Sequence, residues 1–221
     1  MEKLNLKREL IFWLLLLAPC IYILTVWNIL PERVAIHFGM DGQPNGWGGK
    51  GSTFIIPLVN LFTYLLLLGI PYIDPKKMNY EFFISNFYKI RLLLAVFMTA
   101  ISLLIVQIAI TGNSTLIGHW LPASVFLLLA FLGNFMINIK PNWFVGIRTP
   151  WTLSSDIVWK KTHQVGGRIF FYGGLLCFAL SFFIKAEWTT ALILVFALGS
   201  ALFSAGYSFW LFKQQEKNPG L

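Results

Sequence analysis

Six apolar stretches, at residues 10–30, 53–73, 92–111, 116–139, 169–184 and 188–212, leave little of this 221-residue chain for anything else. A helix rises about 1.5 Å per residue, so about 20 apolar residues cross a hydrocarbon core of about 30 Å. Five stretches are that long; the one at 169–184 is shorter and has to borrow its flanks. Charged residues make up only 12% of the chain against 57% hydrophobic ones. A domain folding in water carries about a quarter charged residues, so too few remain here to cover a wetted surface. The pattern predicts an all-α polytopic membrane protein: six transmembrane helices, a short extracellular hairpin-like loop and a cytoplasmic interfacial helix. Pro19, Pro57 and Pro122 fall inside the first, second and fourth stretches. Each can kink its helix there, because neighbouring helices satisfy the freed carbonyls.

The first stretch follows Lys3, Lys7 and Arg8, as a signal peptide would. Its apolar run is longer than a signal h-region, and no Ala-x-Ala cleavage site follows, so it reads as a retained helix. Fourteen of the 17 Lys and Arg residues then fall on one side of the bundle. They are the three at the N-terminus, Lys76, Lys77, Lys89 and Arg91 in the second connector, Lys140, Arg148, Lys160, Lys161 and Arg168 in the fourth, and Lys213 and Lys217 after the sixth span. Only Arg33, Lys50 and Lys185 lie opposite. The positive-inside rule makes both termini cytoplasmic in a plasma-membrane protein. The formal charge of +8 is thus spread along four edges that face anionic lipid headgroups. A nucleic-acid-binding module gathers such charge on one face, so direct nucleic-acid contact is not expected. Cys20 and Cys177 lie in apolar stretches and read as packing residues. Two units are expected: residues 1–74, a helix pair with an outward glycine-rich loop, and residues 75–221, four helices with a cytoplasmic loop at 140–168.

No Asp, Glu, Lys or Arg lies well inside any stretch, which argues against a proton relay or an ion path. Among the buried polar candidates Asn28, Asn60, Gln107, Asn134 and Asn138, the last two are four residues apart and are expected to hydrogen-bond between helices. The sixth stretch carries two small-residue stripes, Ala197, Ala201, Ala205 and Ser200, Ser204, Ser208. These let helices approach closely within one monomer, and the pairs Gly166-Gly167 and Gly173-Gly174 suit the same purpose.

The two long polar connectors differ. The outward one, residues 31–52, holds the turn signals Asp41-Gly42 and Asn45-Gly46 behind a weakly alternating RVAIHFGM, which suggests a compact hairpin. The inward one opens with Lys140-Pro141, where the fourth helix has to stop. Trp143, Phe144 and Trp151 suit a headgroup region. After Thr149-Pro150, Ser154 or Ser155 can cap a short helix from Asp156 whose mixed apolar and basic faces fit a membrane surface. Gly166-Gly167 is expected to end that helix before the fifth span. Arg148 has three candidate partners: lipid phosphate, Asp156 or another protein.

The inward segment NWFVGIRTPWTLSSDIVWKKTHQVGGR resembles the signature of the SdpI family of bacterial membrane immunity proteins. The outward LPERVAIHFGMDGQPNGW resembles a small N-terminal domain of unknown function often found ahead of it. The resemblance implies a multi-pass, non-enzymatic protein without a cofactor that protects bacteria from a secreted killing-factor peptide. For members that also relay a signal, it implies a small winged-helix autorepressor held at the membrane. On that footing the toxin-facing candidates are His37, Phe38, Asp41 and Trp47, and the cytoplasmic partner candidates are Arg148, Thr149, Trp151, Trp159 and His163. Lipids complete the expected partners.

Two rival readings stand beside this one. A transporter or flippase of a peptide or lipid would use the proline-broken spans and Asn134 with Asn138. A membrane enzyme acting on a lipid or cell-wall precursor would use the segment around Arg148 and His163. Ser154, Ser155, Asp156 and His163 supply the residue types of a catalytic triad, but so local a cluster does not build its geometry. His37 and His119 have no nearby acidic or cysteine partner to complete a metal site. No catalytic or metal-binding residue is expected.

Overall fold

The computed structural model describes residues 6–218, apart from the side chains of Leu6, Lys7, Thr115, Leu116 and His119. Its first helix, α1 (Leu6–Thr25), leads into an antiparallel hairpin of β1 (Arg33–Phe38) and β2 (Pro44–Gly49). A 3-10 turn at Lys50–Phe54 then opens α2 (Ile55–Ile73), followed by α3 (Ile84–Thr111) and α4 (Thr115–Met136). The signature connector carries a one-turn helix, α5 (Pro150–Ser154), before α6 (Asp156–Arg168), a π-helical turn at Ile169–Gly173, α7 (Gly174–Leu180) and the long α8 (Ala186–Lys217). Among the described residues four helices are long and apolar enough to cross a membrane: Arg8–Thr25, Lys50–Ile73, Ile84–Thr111 and Ala186–Lys217. A shorter apolar segment at Trp120–Met136 lies in α4.

This is a helical membrane protein, and its surface has the matching inversion. Leu24, Phe62, Val195 and Leu202 each expose more than 60% of their area, whereas Asn60, Ser102, Ser204 and Ser208 are buried. Helices facing hydrocarbon gain nothing by hiding leucine, so polar and small side chains turn inward. Asn60 donates to Ala95 O and Thr99 Oγ1, and Thr99 donates to Leu15 O, which ties α2, α3 and α1 together. Phe12, Leu16, Tyr64 and Ala95 pack around that link. α3 also packs against α4, which in turn meets α6, α7 and α8.

Several expectations need correction. Asn134 and Asn138 are exposed, and Asn138 lies beyond the end of α4; among the described residues Asn60 and Asn86 are asparagines that bridge helices, the latter donating to Phe135 O of α4. Arg91 is not a connector residue. It lies two turns inside α3, 8% exposed, and pairs with Glu9 of α1 at 2.9 Å. Tyr64 donates to the same carboxylate, and the Phe12 ring lies 4.6 Å from the guanidinium. The helix extends eight residues further back than hydropathy alone suggests because this buried partner accepts the charge. Pro57 sits in the first turn of α2, where its missing N–H costs nothing. Asp41-Gly42 does form the hairpin turn, with Gly42 at φ 78°. Asn45-Gly46 instead lies inside β2, opposite an irregularity in the register between Ala35 and His37.

Gly166-Gly167 does not end α6, which runs on through the π turn into α7. A Cβ on Gly167 would lie 2.7 Å from Gly133 O, and one on Gly174 would lie 2.9 Å from Phe126 O. Gly166 and Gly173 face α8 instead, where a Cβ would crowd Ser204 and Phe196. The glycines are there for close approach on two sides, and the packing they permit carries the helix through them.

Candidate functional site

The signature segment is held by hydrogen bonds that return its polar atoms to the backbone. Asn142 is fully buried. Its Oδ1 accepts from the N–H groups of Phe144 and Val145, and its Nδ2 donates to the carbonyls of Lys140 and Val145. That satisfies the whole amide and fixes a tight turn. Asp74, at the end of α2, closes the turn from outside. It is 2% exposed, and its Oδ2 accepts from Tyr80 Oη and from Trp143 N, both at 2.9 Å. Burial, reinforced by this carboxylate, pushes the Tyr80 hydroxyl well above its ordinary pKa and keeps it a donor. Asn79 adds a hydrogen bond to Pro141 O.

His163 anchors the next stretch from below. Ile147 N donates to His163 Nε2 at 2.9 Å, so Nδ1 carries the proton and donates to Trp159 O at 2.9 Å. The ring stacks on Trp159 at 4.1 Å, and Trp159 Nε1 donates to Ile139 O. Both side chains are at most 1% exposed. Burial lowers the His163 pKa from 6.5 to about 4, so the imidazole is neutral at pH 7. Gly146, at φ 112°, lies against the ring edge, where a Cβ would overlap Nε2.

Thr149 and Thr152 form a capping box for α5, and Ser155 caps α6 by accepting from Val158 N. Ser154 is not the cap; it donates to Pro150 O. Two hydrogen bonds then fasten the segment to α8, Thr149 Oγ1 with Ser208 Oγ at 2.9 Å and Ser155 Oγ to Gln215 Oε1 at 2.7 Å. Trp151 packs on Phe209. Arg148 is exposed and donates to Trp143 O, while Asp156 lies 3.9 Å from Lys76. Of the inward candidates, Arg148 thus stands at the surface, Thr149 and Trp151 are half-buried, and Trp159 with His163 lie beneath. Ser154, Ser155 and Asp156 make no hydrogen bond with His163, so the residue types of a triad are not brought together.

The outward candidates share the hairpin surface. His37, Asp41 and Trp47 are exposed and Phe38 is half-buried. His37 Nδ1 is hydrogen-bonded to Asn45 Oδ1, and Asp41 Oδ1 accepts from Gln43 N. The tip rests on the bundle: Gly42 abuts the backbone of Gly118, and Thr190 of α8 donates to Met40 O. The His119 side chain lies outside the described residues, and among those described no group of His, Cys, Asp and Glu could hold a metal ion.

Both polar segments fall within regions shared with known proteins. Residues 138–208 match the SdpI/YfhL protein family, and residues 14–61 match a domain of unknown function, DUF1648. The chain is thus similar to the SdpI/YfhL protein family over residues 138–208, about a third of its length. Over 210 residues it is 25% identical to "Immunity protein SdpI" of Bacillus subtilis (strain 168), covering 95% of this chain and 98% of that protein. No solved structure matches the chain.

The SdpI/YfhL region thus begins with the buried Asn142 turn and ends on the buried Ser208 of α8. Asp74 lies outside it and was not singled out by the sequence. An aspartate followed by Pro75, Lys76 and Lys77 looks like a solvated connector charge, and its partner Trp143 is 69 residues away. The Glu9–Arg91 pair escaped notice for the same reason, with 82 residues between the partners.

Proposed function

We propose that this protein is a six-span immunity protein of the bacterial plasma membrane that protects its host from a secreted, membrane-active peptide. The similarity to Immunity protein SdpI carries this reading, because it runs the length of both chains and is not confined to one motif. In the proposed arrangement α4 and the stretch from Ile169 through α7 cross the membrane beside α1, α2, α3 and α8, while α6 stays at the inner surface. The basic connectors and both termini face the cytoplasm, as the lopsided placement of Lys and Arg favours. The hairpin then faces outward and presents His37, Asp41 and Trp47 to an arriving peptide. The inward face, with Arg148 at its surface, is the place for a regulator such as a small winged-helix repressor.

Expression in a peptide-sensitive strain tests the reading directly: survival under the peptide should rise, and Trp47→Ala should reduce it. A well-expressed protein that gives no protection against any secreted peptide of this class refutes the immunity assignment. Orientation is tested separately. A membrane-impermeant thiol reagent should label Trp47→Cys in intact cells, and labelling only after lysis would reverse the two faces.

A further inference from the structure

Beneath the hairpin lies a pocket of about 70 Å³ between β1, the start of α2 and the outer half of α3. Its walls include Val34, Ile36, Ile56 and Ile105, with Ser52, Thr53 and Ser102 as hydroxyls. Thr53 donates to Lys50 O. Ser102 is 1% exposed and its Oγ has no hydrogen-bond partner. A helical serine commonly turns back onto the carbonyl four residues earlier, as Ser204 does onto Ser200 O at 2.7 Å. Ser102 forgoes that bond. It lies nine residues before the end of α3, about 14 Å along the helix at 1.5 Å per residue, and an unpaired hydroxyl buried at that depth is costly.

We infer that this pocket receives a small aliphatic side chain of the incoming peptide, of valine to leucine size, while the adjoining backbone carbonyl accepts from Ser102 Oγ. This names a binding site within the immunity reading and rests on it for the identity of the ligand. Two observations select the occupant. The volume is about half of the ~150 Å³ that accommodates a benzene ring, which admits a branched aliphatic group and excludes an indole. The orphan donor calls for an acceptor, which a lipid acyl chain lacks. Ile36 and Ile55, each 51% exposed, also line the pocket and add to its apolar surface.

The probe is N-acetyl-leucine methylamide, one aliphatic side chain between two amides. The reporter is Ser52→Cys on the pocket wall, in a Cys20→Ala, Cys177→Ala background of the full chain in lipid nanodiscs. The leucine amide should slow modification by methyl methanethiosulfonate, and N-acetyl-tryptophan methylamide should not. Adding Ser102→Val should weaken the protection about fivefold, the effect of one neutral hydrogen bond, while Ser102→Thr retains it. A reporter that never reacts means a closed pocket and overturns the inference. So does a reactive reporter that the leucine amide leaves unprotected. Equal protection by 1-octanol, unaffected by Ser102→Val, identifies an acyl-chain site and overturns the peptide assignment. In cells, Ser102→Leu should fill the pocket and lower survival. If the unaltered protein protects and a well-expressed Ser102→Leu protects equally, this inference fails alone. If the unaltered protein gives no protection, the immunity reading fails instead.

Discussion

Acidification should loosen the signature segment through a single imidazole. His163 uses both ring nitrogens in the neutral state, Nε2 accepting from Ile147 N and Nδ1 donating to Trp159 O. A second proton would have to sit on Nε2, against an N–H that already points there. The folded pKa is about 4 against 6.5 for the free side chain. For a base whose pKa falls on folding, the stability contribution is complete above the unfolded value and is lost as pH drops toward the folded one. Linkage gives a loss of about 2 kcal/mol by pH 5 and about 3 kcal/mol by pH 4 relative to pH 7.5. The assay is thermal unfolding of the purified protein in one detergent at pH 7.5, 6.5, 5.5 and 4.5, for the unaltered chain and His163→Leu. The variant starts less stable, since Ile147 N and Trp159 O lose their partner, at about 1–3 kcal/mol for a buried unsatisfied group. Its pH profile between 6.5 and 4.5 should nevertheless be the flatter of the two. Parallel profiles, or a His163 ring resonance titrating near 6.5 in the folded protein, would refute the reasoning.

Two further outcomes follow from buried contacts. Glu9 and Arg91, with side chains only 12% and 9% exposed, should each cost about 3–5 kcal/mol when replaced singly by Gln or Met, because the partner's charge is left buried. The double variant should lose clearly less than the two single losses added together in thermal unfolding, and strict additivity would rule out a coupled pair. Gly167→Val should destabilise by at least about 2 kcal/mol, since forcing a side chain into a filled contact displaces α4 or α6. Gly199→Ala, where an added Cβ meets nothing within 4 Å, should be neutral or stabilising by up to about 1 kcal/mol; equal losses at the two positions would contradict the packing argument.

What could be read in the sequence follows the range of the interactions responsible. Hydropathy is a local property, so the helices at residues 10–25, 55–73 and 188–212 are visible in it. Turn chemistry is local too, and Asp41-Gly42 announces the hairpin. Asn45-Gly46 has the same composition yet lies in a strand, because the bulge opposite it depends on pairing with Ala35 and His37. Glycine is ambiguous for a related reason. Gly166-Gly167 looks like a stop until Gly133 and Ser204 are brought against it. The inward candidates divide in the same way. The apolar and basic faces of α6 are evident from spacing, and Ile157 and Lys160 are indeed exposed. That Trp159 and His163 face inward depends on Ile139 and Ile147, which approach only when the Asn142 turn closes.

The same turn bears on how one bundle could serve both faces. The side chains of Asn142, Thr149, Thr152, Ser155 and His163 are committed to the segment's own backbone or to α8, and Trp143 N to Asp74, so the segment behaves as a brace and not as a loose loop. α8 reaches both ends of the proposed architecture. Thr190 bonds the hairpin tip at Met40 O, and Ser208 and Gln215 bond the signature segment. The 18 residues from Thr190 to Ser208 span about 27 Å of helix, close to the thickness of a hydrocarbon core. Along that rod, Ser200, Ser204 and Ser208 keep one face pressed into the bundle. A peptide that shifts the hairpin therefore acts on a stiff element whose far end holds Thr149 and Ser155, next to the exposed Arg148. If the orientation proposed above holds and a regulator binds the inner face, α8 is the element that would couple it to the hairpin, without the hairpin and the signature segment ever touching.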